Sequence, residues 1–280
     1  IKGYINGVEV LSGTMTANAS IGIKNTYPMN IGTNATGATH MNCYLAETHW
    51  IDGTVKAVGD FAETDSVTGQ WIPKKYEDSY GTNGFYLKYE SGAIGTDSSG
   101  NGNNFTASNL ANSDVMLDSP TNNYCTLNPL DSSGNITTSQ GNTKFHSSNT
   151  NRVCVRGTHA VSSGKWYWEY TDAASSSGSI GVVETAVELT QTGTGSAVGD
   201  FANGWGINNT GSKEHNNSAT AGYITAYTTG DVIGVALNMD DGEITFYRNG
   251  SSAGVAFTNL TGTVVPCVCT GSHSGSFDTL

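Results

Sequence analysis

Two carboxylates flanking a glycosidic bond can share its proton work, and on a single strand that pairing reads E-x-D-x-x-E. Glu47, Glu169, Glu184, Glu188 and Glu243 have no acidic partner at this spacing. Asp240-Asp241-Gly242 reads as a turn, where an aspartate bonds its own backbone. No G-x-S-x-G element and no phosphate loop is present. The histidines (His40, His49, His146, His159, His215, His273) are scattered, and no Cys-x-x-Cys accompanies them, which argues against zinc. The sequence therefore nominates no catalytic residue, and the expectation is a protein that is not an enzyme.

Two other groups of polar residues have the composition of binding sites. In DSSGNGNN (residues 97–104), Asp97, Asn101 and Asn103 offer hard oxygen atoms to a cation such as calcium. A calcium loop ordinarily carries several carboxylates and this one carries a single Asp, so a tight Asx and glycine turn is the better reading. Calcium at these three residues is the sole cofactor reading; otherwise no cofactor is implied. In GWGINNTGSKEHNN (residues 204–217), Trp205, Asn208, Asn209 and His215 combine an aromatic face with amides, which suits a pyranose. Trp205 lies between two glycines in a strand-like motif and is also a core candidate. The loop from Asn208 to Ser218 is the stronger place for ligand contact, because rigid sandwiches recognise through their loops.

The elements that must position these residues are strands. Gly, Ser, Thr and Asn make up 128 of 280 residues, a density that weakens helix interiors and favours turns. The clearest signal runs from Asp231 to Phe257. Ile233, Val235 and Leu237 alternate, Asp240-Asp241-Gly242 turns the chain, and Ile244 and Phe246 return. Asn249-Gly250 then makes a tight hairpin into a third strand. A second hairpin is centred on Asn6-Gly7. In GKWYWEY (residues 164–170), Trp166, Trp168 and Tyr170 share one face and are expected in a core, whereas Tyr167 on the opposite face suggests a strand covered twice. Gly59 to Glu63 is the one short helical candidate. The class is all-β, as β-sandwich.

The chain carries 12 Lys+Arg against 24 Asp+Glu, a net charge of −12. Nothing supplies the basic footprint that nucleic acid requires, and no apolar run reaches the roughly 20 residues of a membrane span. Five cysteines (Cys43, Cys125, Cys154, Cys267, Cys269) show no repeated spacing. Cys267 and Cys269 share a strand face and cannot easily bond each other, so five buried thiols in a reducing cytosol are expected.

Residues 141–280 resemble a SPRY domain, a concanavalin A-like sandwich, through GKWYWEY, IGVV (180–183), GWGIN (204–208), the run from Gly230 to Gly250, and VVPCV (264–268). By that resemblance the domain reads as lacking its last strand. Residues 1–60 are similar to the C-terminal part of a laminin-G-like jelly roll, through YINGVEV (4–10), MNIG (29–32) and YLAETHWIDG (44–53). Residues 61–140 read as an ordered connector rich in Gly, Asn and aromatics. The expected fold is thus two concanavalin A-like (jelly-roll) β-sandwiches joined by an ordered irregular connector. As a whole, with WIPKKYEDSYGTNGFYLKY (71–89) and DSPTNNYCTLNPL (118–130), the chain is similar to virion proteins of marine and cyanobacterial phages. The resemblance implies a tail fibre, tail knob or capsid-associated fibre, assembled in the host cytoplasm and extracellular on the particle. It further implies other virion proteins as partners, a homo-oligomer (a trimer by analogy) and adhesion to host-surface glycans. A purely architectural decoration or filament subunit and a polysaccharide depolymerase are the alternatives.

Overall fold

The computed structural model describes residues 2–14, 29–34, 36–66, 69, 71–119, 121, 123–134, 136–147, 152–172, 178–189, 197–270 and the backbone of 274–278. The chain divides into two compact units, residues 1–123 and 124–280. Among the described residues no helix is long and apolar enough to cross a membrane.

Among its described residues unit 1 has six short strands: β1 (Lys2–Ile5), β2 (Val8–Ser12), β3 (Thr48–Trp50), β4 (Ala62–Thr64), β5 (Trp71–Pro73) and β6 (Phe85–Leu87). They pair antiparallel as β1–β2, β3–β6 and β4–β5. The Asn6-Gly7 turn has positive φ at both residues, as the hairpin signal requires. The helical candidate near residue 60 is a 3-10 turn, Val58–Asp60, held by the Asp60 carboxylate accepting from Ala57 N at 2.8 Å. The chain extends again at Ala62 into β4.

Rings account for the aromatic density of this unit. His49 stacks on its cross-strand partner Tyr86, with centroids 4.3 Å apart, and its Nδ1 is 2.8 Å from the Tyr80 hydroxyl. Tyr76 and Phe61 pack against the same imidazole. Burial holds the His49 pKa below its ordinary value, partly opposed by the charge of Glu47.

Among its described residues unit 2 contains fourteen strands: β7 (Leu127–Ser132), β8 (Thr137–Ser139), β9 (Lys144–His146), β10 (Val153–Gly157), β11 (Lys165–Thr171), β12 (Ser179–Glu184), β13 (Gly204–Asn208), β14 (Lys213–His215), β15 (Ser218–Thr220), β16 (Val232–Asn238), β17 (Glu243–Arg248), β18 (Ser251–Phe257), β19 (Val264–Thr270) and β20 (Ser274–Asp278). They form two seven-stranded antiparallel sheets, in the orders β15-β14-β13-β12-β19-β10-β7 and β18-β17-β16-β11-β20-β9-β8. Strands β7 and β8 lie in the stretch read as connector, yet they edge these two sheets. Strand β20 pairs with β11 and β9.

The core is the set of inward positions the alternation pointed to. Ile233, Val235 and Leu237 of β16 and Ile244 and Phe246 of β17 meet Ile180 and Val182 of β12 and Val264 and Val268 of β19. Burial of this kind is the main term holding such a sandwich together. One flank is closed by Lys213 of β14, whose Nζ donates to the Ala256 carbonyl of β18 at 2.7 Å.

Three expectations are corrected here. Trp168 and Tyr170 are buried, but Trp166, on the same face, is 46% exposed. It starts its strand at the rim, where its indole N–H donates to Ser163 O. Tyr167 on the outer face is 40% exposed, so β11 is covered once. The sheet covered twice is the other one. Behind it the 3-10 turn Val198–Asp200 and neighbouring residues form a second small core with Val183, Val265 and Cys267. Finally, the cysteines are not five buried thiols. Cys154 of β10 and Cys269 of β19 are direct cross-strand partners joined by a disulfide, Cys43 is exposed, and Cys125 is half-buried.

Candidate functional site

Where the interior of unit 2 ends, its inward faces continue in charged residues. Arg248 follows Ile244 and Phe246 in register on β17, and Asp231 precedes Ile233 and Val235 on β16. Both side chains arrive at the same end of the core. Arg248 Nη2 meets Asp231 Oδ2 at 2.9 Å. The same oxygen accepts from Thr228 N at 2.8 Å, and Oδ1 accepts from the Asn249 amide at 2.7 Å. The Thr228 N–H, then the Asn249 amide and the guanidinium, hold the Asp231 pKa below the usual carboxylate range. A fully bonded carboxylate thus fixes the guanidinium through one nitrogen. Arg248 Nε is buried without a partner, and Nη1 makes no bond among the described residues.

Beside this pair is a cavity of about 480 Å³. Tyr223, Ile224 and Thr225 form one wall, and Arg248, Asn249, Ser251, Ser252 and Ala253 of the β17–β18 hairpin form the other. The hairpin turn carries positive φ at Asn249 and Gly250, so its tip is set by backbone chemistry rather than by packing. Tyr223 is fixed at both ends. Its hydroxyl donates to Gly254 O and accepts from Phe246 N, and its ring stands edge-on to Phe246 at 6.2 Å. Burial raises its pKa, so the phenol stays neutral. Lys213 Nζ lies 5.7 Å from the ring centroid.

The residues nominated from sequence for ligand contact sit near this rim without lining the cavity. Trp205 is 3% exposed and belongs to the core, stacked on His215 at 4.9 Å, so its face is not open to a sugar. His215, its cross-strand neighbour, places Nδ1 2.9 Å from Gly204 O and packs on Phe257. Asn208 builds the turn into β14. Its Oδ1 accepts from Thr210 N, Thr210 Oγ1 and Ser212 N, and its amide donates to Glu214 at 2.5 Å. Asn209 is tied through its backbone, donating to Gly178 O and accepting from Tyr227 N.

The DSSGNGNN loop is a clasp. Asp97 Oδ1 accepts from Tyr86 N and Ser99 N, and Oδ2 accepts from Ser99 Oγ and Asn103 N. Asn101 donates to Gly81 O and Gly84 O, and Asn103 donates to Thr82 O and Gly84 O. The nitrogen is the only donor of an asparagine side chain, so both asparagines turn their NH₂ groups inward. The three residues are brought together as the turn reading has it, with the carboxylate saturated by protein donors. Among the described residues no group of three or more His, Cys, Asp or Glu is placed to hold a metal ion.

One further carboxyl is unusual. Glu214 lies under the Val198–Asp200 turn, where a Cβ on Gly199 would come 2.2 Å from the Glu214 Cβ. Burial raises its pKa, opposed by the Asn208 amide and reinforced by the charge of Asp200, and its Oε2 is buried without a partner. The rim offers fixed donors, hydroxyls and one aromatic wall, which is equipment for recognition.

Sequence reasoning passed over Tyr223, Asp231 and Arg248. A signal existed for the last two: an Asp and an Arg at positions 231 and 248 fall in the inward register of strands otherwise apolar there, which places an ion pair at the core's end.

Part of the chain matches a known family model. Residues 165–278 match the SPRY domain model, so a SPRY domain is present. SPRY domain-containing SOCS box protein 3 of Xenopus tropicalis is 27% identical over 130 residues, covering 44% of this chain and 36% of that protein, and its Xenopus laevis counterpart matches equally. The match thus spans about a third of the length of these relatives. Among solved structures, the SPRY domain of human HERC1 aligns at 18% identity and TM-score 0.47, over 55% of this chain and 98% of that one. The TRIM65 PSpry domain aligns at 14% and 0.46, over 56% and 90%. Stonustoxin aligns at 25% and 0.44, over 56% and 27%.

Proposed function

With a SPRY domain, a protein-interaction or binding module, at residues 165–278 as the premise, we propose that this chain is a non-catalytic adhesion protein that recognises its ligand at the Tyr223–Arg248 rim. The observation that carries the reading is the polar cavity there, whose walls are a bonded tyrosine and a hairpin anchored by an ion pair. Sites of this volume, pre-formed on a rigid scaffold, are where small ligands bind. The biological setting we propose is a phage virion, as a tail fibre, tail knob or capsid-associated fibre with host-surface glycan as ligand. The likeness of residues 71–89 and 118–130 to phage virion proteins supports this setting. Virion partners and a homotrimer belong to the same proposal. Repeated weak sites on one particle would multiply retention.

A glycan array of bacterial envelope polysaccharides tests the reading. Saccharide binding without release of reducing ends is expected. Release of reducing ends would favour the depolymerase alternative, and a silent array would remove adhesion. A second, architectural role has one observation in its favour. The β1–β2 hairpin leaves Ile5, Val8, Val10 and Leu11 exposed, more apolar surface than a solvated ribbon needs. Mass photometry of the purified chain measures whether it assembles.

A further inference from the structure

The donors left unused at the rim narrow the ligand. Arg248 makes a single described side-chain bond, through Nη2 to Asp231, which leaves Nη1 without a partner beside the cavity it helps to line. Among the described residues, Arg248 is the one charged residue in the cavity lining, and Asp231 pairs with it from outside that lining. The remaining lining supplies hydroxyls from Thr225, Ser251 and Ser252, with Ile224 and Ala253 as the apolar part. A peptide partner would need an apolar hole for an aromatic or aliphatic anchor. Hydroxyls around one aromatic ring and a guanidinium suit a sugar that carries an acid.

We propose that the cavity between Tyr223 and the β17–β18 hairpin holds a carboxylate-bearing pyranose, of the hexuronate or sialic-acid type, with the carboxylate on Arg248 Nη1 and the ring against Tyr223. Asp231 is a positioning residue: it orients the guanidinium and does not touch the sugar. The assignment rests on the adhesion reading above and specifies its ligand class.

The test is saturation-transfer NMR and calorimetry on the full chain with digalacturonate, its dimethyl ester, 3′-sialyllactose and tetra-aspartate. Digalacturonate or 3′-sialyllactose should bind. For digalacturonate, the ester keeps the shape and loses the charge, and should bind about tenfold more weakly or worse, the value of one charge-assisted hydrogen bond. Arg248→Gln should reduce acidic-sugar binding by a similar factor. Because that change also strips Asp231 of its partner, Thr225→Trp is the second variant. It fills the cavity from the exposed wall, leaves the ion pair in place, and should abolish binding with an unchanged melting temperature. Equal binding of acid and ester, or binding untouched by Thr225→Trp, overturns the assignment. Tetra-aspartate binding as tightly as the sugar also overturns it, since the cavity would then read a peptide acid. Silence toward both acidic sugars alongside a positive glycan array overturns the acid assignment and leaves adhesion standing; silence in both removes the two together.

Discussion

Reducing the Cys154–Cys269 bond should loosen unit 2 by an amount the chain length sets. The two cysteines are 115 residues apart in sequence, and the bond joins strands β10 and β19 at a directly opposed pair. For a closed loop of that length the chain-entropy relation gives about 5 kcal/mol of stabilisation, and native disulfides commonly contribute about 2–5 kcal/mol. Both strands are buried along their whole length, so their amides report opening of unit 2 alone. Hydrogen exchange of peptides covering 153–157 and 264–270 should therefore accelerate by roughly 30-fold to several thousand-fold on reduction. A Cys154→Ser/Cys269→Ser variant should show the same acceleration and no further response to reductant. Identical exchange with and without reductant, or five free thiols titrating in denaturant under oxidising conditions, would refute the reasoning.

Other consequences can be checked beside it. Burial raises the Cys267 pKa to about 12, so in the native state iodoacetamide should label exposed Cys43 first, half-buried Cys125 slowly and Cys267 last, by peptide mass mapping. The Glu214 pKa lies above its unfolded value, so its favourable contribution is complete below about pH 4 and is lost as pH rises through the native pKa. Glu214→Gln should raise stability at pH 8 by about 1–3 kcal/mol in denaturant titrations and make no difference near pH 4. Asp97→Ala leaves the backbone N–H groups of Tyr86, Ser99 and Asn103 without their acceptor and should destabilise unit 1 by about 2–4 kcal/mol. Calcium and chelators should leave the melting of the parent protein unchanged.

Much of unit 2 could be read from residues because its signals are local. Alternation through Ile233, Val235 and Leu237, the two tight turns and the return through Ile244 and Phe246 fix strands and faces within a short stretch, and β16 and β17 follow them. Pairings across long separations carry no such signal. Cys154 and Cys269 come together because β10 and β19 are neighbours, a fact of topology that spacing does not encode. Trp166 misled for a related reason: alternation reports the face a residue is on, and not whether the opposing sheet reaches that far along the strand. In unit 1, Phe61, Tyr76 and Tyr86 gather around His49, a cluster that only the pairing of β3 with β6 brings together. The clasp of Asp97, Asn101 and Asn103 onto the 81–84 turn needed the fold to become visible, because its acceptors are backbone carbonyls. The cavity wall was not legible: Tyr223 looks like any other aromatic until Phe246 and Gly254 are beside it.

Where a ligand lands on unit 2 is the most direct test of the proposed rim. Hydrogen exchange measured with a saturating array-positive saccharide should show protection in peptides covering residues 223–231 and 248–253, with unit 1 unchanged. Protection confined to unit 1, or to the outer faces of the two sheets with the 223–253 rim unaltered, would contradict it.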